Sequence, residues 1–141
     1  MREILFRGKR KDNGEWVEGV YYKQTLFYSD PCEKHYIITS TESLQYDQAL
    51  DYFEVIPETI GQYTGLTDEN GKKIFEGDIV EQTDNVGQKT VYWVVFGMNY
   101  GYGINSPSFM LTDYRGANTP FNPRLEVIGN IHDNPELLQN T

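Results

Sequence analysis

At 141 residues with a single cysteine, the chain has the length of one domain or of two very small ones. It is long enough to bury about two-thirds of its unfolded surface without a disulfide or a structural metal. Its formal charge of −9 repels phosphate backbones and argues against general nucleic-acid binding, and the lone Cys32 suits a reducing, cytoplasmic setting.

The charge is unevenly placed. Arg2, Arg7, Lys9, Arg10 and Lys11 lie in the first eleven positions with only Glu3 opposing them, so that segment is +4 and residues 12–141 carry −13. On a strand edge such residues discourage unwanted pairing. Read as function, Arg7, Lys9, Arg10 and Lys11 are the candidates for contacting a phosphate chain. The same opening lacks an apolar run of signal-peptide length, so no cleaved leader is expected.

Strand signals follow in chain order. "EILFR" opens the chain, and the turn pair Asn13-Gly14 leads into "EWVEGVYY". Beyond Ser29-Asp30-Pro31 come "KHYIITS" and "YFEVI", and between them "TESLQYDQALDYF" (residues 41–53) reads as loop or one helical turn. "DIVEQ", "KTVYWVVF", "SFMLT" and "RLEVIGNI" complete the set, separated by Asn85-Val86-Gly87, Ser106-Pro107 and Asn122-Pro123. These strands are rich in β-branched and aromatic residues. The turns are built from residues that tolerate positive φ or fix φ and remove a donor. The spacing predicts an all-β fold of short antiparallel strands. The one clear helix signal is "NPELLQN", with Asn134 as cap and Pro135 at the first helical position. The uncharged run from Thr90 to Thr112 has the length of a membrane span, but its glycines, proline, asparagines and serines predict strand, loop and strand instead.

Two stretches echo each other. "DNGEWVEGVYY" and "ENGKKIFEGDIVEQ" share an acidic residue, Asn-Gly, an apolar pair, Glu-Gly and an apolar run, and each is later followed by Glu-Val-Ile. The echo suggests an N-terminal β unit over residues 1–58 and a C-terminal one over 59–141. Within "GQYTGLTDENGKKIFEGDIVEQ" (residues 61–82) the glycines read as turn geometry, since neither a helix start nor a Gly-Lys-Ser/Thr follows them.

The blocks "REILFRGKRKDNGEWVEG", "EVIPETIGQYTGLTDENGKKIFEGDIV" and "EVIGNIHDNPELL", in that order, resemble the YopX family of phage and prophage proteins, found mostly in Gram-positive bacteria and their viruses. The resemblance implies a β-rich protein whose C-terminal half, residues 59–141, is a small SH3-like barrel with a short terminal helix. It also implies a bacterial host cytoplasm, and it brings no catalytic residue. His132-Asp133 departs from the aromatic and acidic pair expected before the last helix, a surface-level difference.

No catalytic, cofactor-binding or metal-ligating set is expected. Cys32 and His35 form half of a zinc pattern with nothing to complete it, and a thiol beside one histidine is more simply a small apolar residue. Glu76 and Asp78 could share a cation only with further ligands from elsewhere. Tyr100 and Tyr102, in the uncharged "NYGYG", are different, because exposed tyrosines can anchor a protein partner or stack on bases. The expected function is therefore a non-enzymatic protein-interaction module acting on a host or phage protein, without membrane insertion. The alternative is a nucleic-acid-binding accessory that uses the basic N-terminal strand and the aromatic loop.

Overall fold

The computed structural model describes residues 4–28, 33–40, 51–99, 106–113, 118–119 and 124–138. Strand makes up 63% of them and helix 7%, which makes the protein all-β as expected. The chain divides into two compact units, Met1–Tyr63 and Thr64–Thr141.

The first unit holds β1 (Phe6–Lys9), β2 (Trp16–Thr25), β3 (Glu33–Ser40), β4 (Asp51–Glu54) and the start of β5 (Gly61–Thr67). They lie in the order β4-β3-β2-β1-β5, and the pairing of β1 with β2 and β5, and of β3 with β2 and β4, is antiparallel. The β1–β2 hairpin turns on Asn13-Gly14, with Gly14 at φ +74 and the Glu15 N–H donating to Asn13 Oδ1 at 3.0 Å. On the inner face Ile37 and Val55 are fully buried. Phe6 packs on Tyr21 at 5.6 Å between ring centroids, and the Arg10 guanidinium lies 4.0 Å over the Phe53 ring. Residues 41–50 lie outside the described residues, but Asp51–Glu54 is extended where a loop or helical turn was one expectation, because β3 supplies a ladder for it.

The second unit holds the end of β5, β6 (Lys73–Phe75), β7 (Asp78–Thr83), β8 (Lys89–Asn99), β9 (Ser106–Thr112), β10 (Asn118–Thr119) and β11 (Leu125–Asn130), followed by a 3-10 helix over Pro135–Leu138. The last five strands form an antiparallel sheet in the order β10-β9-β8-β7-β11. Its core is Ile74, Val80, Val94, Leu111 and Leu125, one residue from each of β6, β7, β8, β9 and β11. Among the described residues β10 and β11 are unpaired edges of this sheet, so they form an open sheet in which the SH3-like barrel that the resemblance implied is not seen to close. Closure needs paired edges, and β10 spans only two residues.

β5 had no strand signal in the sequence, and the first two residues of β9 read as a turn. β5 is "GQYTGLT", poor in strand formers, yet it is a strand because β1 pairs with its first residues and β6 is its other neighbour in the sheet. Ser106-Pro107, expected as a turn, instead pairs with Asn99 and Met98 in β9. The proline is tolerated because β10 pairs only with Leu111 and Thr112, leaving no second ladder at Pro107 among the described residues.

The internal echo holds at the turns and stops there. Gly14 and Gly71 take φ +74 and +82. A backbone N–H near each turn donates to the segment around the following Glu-Val-Ile, but from positions one residue out of step, Lys11 to the Glu54 carbonyl at 3.0 Å and Glu69 to the Leu125 carbonyl at 2.9 Å. The Glu-Gly pairs diverge. Gly77 breaks the chain at φ +91, whereas Gly19 lies inside continuous β2, where a Cβ would collide with the Ile38 carbonyl. The same dipeptide is thus required by conformation in one unit and by close packing in the other.

That difference is measurable. Gly77→Ala should cost about 1–2 kcal/mol, the penalty of an L-residue held at positive φ. Gly19→Ala should cost about 3 kcal/mol, because backbone rather than a flexible side chain must move. Urea denaturation of both variants checks this, and equal losses would mean that the β2–β3 separation is softer than its geometry implies.

Candidate functional site

The four basic candidates occupy two environments. Arg7 and Lys9 alternate on β1 and both lie over the Trp16 indole, at 4.7 and 5.8 Å from its centroid, which places cations on the negative ring face. Arg10 donates to both Asp12 carboxylate oxygens at 2.9 and 2.6 Å. The bond to Asp12 raises the Arg10 pKa, and the same bond lowers that of Asp12. Lys11 pairs with Glu54 at 3.0 Å. Tyr100 and Tyr102 lie outside the described residues.

The carboxylates of the second unit close turns. Asp68 is buried. Its Oδ1 accepts the Asn70 and Lys72 N–H groups, each at 2.9 Å, and its Oδ2 accepts the Val127 N–H at 3.0 Å. Burial alone would raise its pKa, but these N–H bonds, led by Val127, outweigh it and hold the pKa below the ordinary value of 3.8. Asp78, also buried, accepts the Phe75 N–H at 2.8 Å, so the Glu76–Asp78 stretch closes a turn. Asp84 Oδ1 accepts from Val86 and Gln88 at 2.9 and 2.8 Å. His35 shares a hydrogen bond through Nδ1 with the Tyr21 hydroxyl, and the two rings stack at 5.8 Å. Cys32 lies outside the described residues. Among the described residues no three His, Cys, Asp or Glu side chains converge to hold a metal, and no helix is long and apolar enough to cross a membrane.

A different surface stands out on the first unit. Side chains alternate across a strand, so the face opposite Ile37 carries Val20, Tyr22 and Gln24 from β2, Tyr36 and Ile38 from β3, and Tyr52 from β4. The register seats Tyr22 against Tyr36 and Ile38 against both Val20 and Tyr52. Tyr22 and Tyr36 are 6.4 Å apart with planes at 35°, and Tyr36 meets Tyr52 edge-on at 5.6 Å and 76°. The Tyr36 hydroxyl donates to Gln24 Oε1 at 3.4 Å. Tyr22, Gln24, Tyr36, Ile38 and Tyr52 line a concavity of about 360 Å³, and Val20, Tyr22 and Tyr52 remain 52%, 52% and 57% exposed. Sequence reasoning missed this face. The available signal was the adjacent pair Tyr21-Tyr22 in a strand, which must send one ring to each face.

A family model described as YopX protein matches residues 5–139. The crystal structure of protein EF1440 from Enterococcus faecalis is similar at a TM-score of 0.56 and 22% identity, covering 99% of this chain and 100% of that one, a likeness of fold. Comparison with curated proteins found no match.

Asp68 sets a pH dependence. Because its folded pKa lies below 3.8, the stability it contributes is fully present above the unfolded value and is lost as pH falls through the folded one. Asp68→Asn should remove that acid limb. It should also cost about 2 kcal/mol at neutral pH, because an amide turns an N–H toward a backbone N–H that the carboxylate accepted. Denaturation midpoints between pH 2.5 and 7 test both, and an unchanged acid limb would assign it to other carboxylates.

Proposed function

Because the chain belongs to the YopX family, we propose that it is a phage or prophage accessory protein that works as a non-enzymatic protein-interaction module in the cytoplasm of a bacterial host. The observation that carries this reading is the exposed aromatic face of the first unit. Its tyrosines are presented by three paired strands, so little side-chain or backbone freedom is lost when a partner covers them. Tyrosine is the residue type in which interface energy concentrates, and an apolar patch left on a solvated sheet face marks an interaction surface. The net charge of −9 and the local engagement of Arg10 and Lys11 by Asp12 and Glu54 favour a protein over a phosphate chain as the partner.

The experiment is affinity capture from lysogenic or infected cells with and without nuclease. The expected result is a nuclease-resistant protein partner that is lost with Tyr22→Ser/Tyr52→Ser, a pair of exposed positions whose change leaves the fold intact by circular dichroism. Capture should survive substitution of Arg7, Lys9, Arg10 and Lys11. Tyr100→Ala/Tyr102→Ala, run in parallel, tells whether the aromatic loop shares the contact. Nuclease-sensitive capture, or sub-micromolar nucleic-acid binding near physiological salt, would reverse the reading.

A further inference from the structure

We propose that the tyrosine face docks an acidic segment of the partner protein, with an apolar side chain seated in the concavity and a carboxylate at Lys34. The inference rests on the interaction-module reading and adds the chemistry of the partner. Charge is the first support. Strand alternation and the register put Arg7 and Lys9 from β1, Glu18 from β2, Lys34 from β3 and Glu54 from β4 on the same face as the tyrosines. Lys11 engages Glu54 at 3.0 Å, so four cations stand against two carboxylates among the described residues here. The face is therefore +2 in a chain of −9, and everything else carries −11. An acidic segment is repelled by the net charge elsewhere and attracted on this face, which selects the surface.

Placement of the donors is the second support. Lys34 lies opposite Gln24, which lines the concavity, and makes no ion pair among the described residues. The Tyr36 hydroxyl occupies Gln24 Oε1, which leaves the Gln24 amide N–H groups as donors at that end. An ammonium and an amide thus meet an incoming carboxylate together. The walls supplied by Tyr22, Tyr36, Tyr52 and Ile38 enclose about 360 Å³, room for one leucine, methionine or phenylalanine side chain beside it. Arg7 and Lys9 lie over Trp16, which is eight residues from Gln24 on β2, about 26 Å of extended chain. At that distance they act through the field and set association rate and salt dependence. Capture therefore survives their loss and depends on Lys34. A nucleic-acid strand carries a charge at every nucleotide and would run past this face into the −11 remainder, whereas a protein segment can confine its carboxylates to the end that attracts them.

The test uses the full chain, with binding followed by NMR of backbone amides and tyrosine rings. The probes are the peptide acetyl-Gly-Asp-Asp-Leu-Phe-Asp-Asp-Gly-amide, its variants with asparagine or lysine for every aspartate, and a ten-nucleotide oligothymidylate. The aspartate peptide should shift Tyr22, Tyr36, Tyr52 and Lys34. At low salt it should bind about two- to five-fold more tightly than the asparagine peptide, the range of an exposed ion pair, and the margin should shrink as salt is raised. Lys34→Met should bring the two peptides toward parity and Lys34→Arg should restore the margin, both with unchanged circular dichroism. Parity in the unaltered chain, tighter binding of the lysine peptide at these residues, or no shift on this face overturns the acidic assignment. Tighter binding of oligothymidylate than of the aspartate peptide gives the face to a nucleic acid and overturns it as well. After parity, loss of capture with Tyr22→Ser/Tyr52→Ser would still support the module reading. Capture that survives those tyrosine changes while the aspartate preference holds would sink the module reading instead.

Discussion

The Asp68 carboxylate is the constraint on which the second unit turns. Two of its N–H donors shape the Asn70-Gly71 turn, and the third belongs to β11, 59 residues away. One side chain therefore sets both the local bend and the strand that must lie beside it. β11 in turn pairs with β7 and supplies Leu125 to the core, so the placement of a buried leucine depends on a buried charge. The arrangement is tolerable because the charge has N–H donors on both oxygens, which is the condition for burying a carboxylate. The theme recurs at Asp78 and Asp84. At the C-terminal turn an amide takes the role, with Asn130 Oδ1 accepting from His132 and Asp133. Part of the acidity of this chain thus serves to satisfy backbone N–H groups at turns.

The sequence is legible where the physics is local. Asn13-Gly14, Asn70-Gly71 and the Asn85-Val86-Gly87 turn declare themselves because positive φ is a property of one residue and its neighbours. β7, β8 and β11 are visible because each is a run of strand formers. What is invisible depends on partners. β5 is a strand through its ladders alone, and whether a sheet closes into a barrel depends on which edges meet. Counting charges located Arg7, Lys9, Arg10 and Lys11 but could not reveal Trp16, Asp12 or Glu54 beside them.

The candidate site shows the same division. Reading composition draws attention to Tyr100 and Tyr102, which are two positions apart in the chain. The tyrosines that the fold assembles come from β2, β3 and β4, and they meet only because Tyr22 opposes Tyr36 and Ile38 opposes Tyr52. A shift of one residue in either pairing would send alternate side chains to the other face and dissolve the site. Gly19 bears on that register, since its missing Cβ is what lets the Ile38 carbonyl approach β2.

Apolar side chains are divided unequally between the units. Nine of the twelve buried apolar residues lie in the second unit, while six of the nine large apolar residues left exposed lie in the first, among the described residues. Exposed apolar area forgoes the stabilisation that burial would give, so the first unit leaves unused a contribution that the second realises with one core residue from each of five strands. Inner-face contacts such as Arg10 on Phe53 and Tyr21 on His35 supplement a small core without covering the outer tyrosines. Stability forgone on so regular a surface is what the proposed binding would recover. The second unit is the better-packed body, and the first carries the exposed tyrosine face on which the proposed interaction rests.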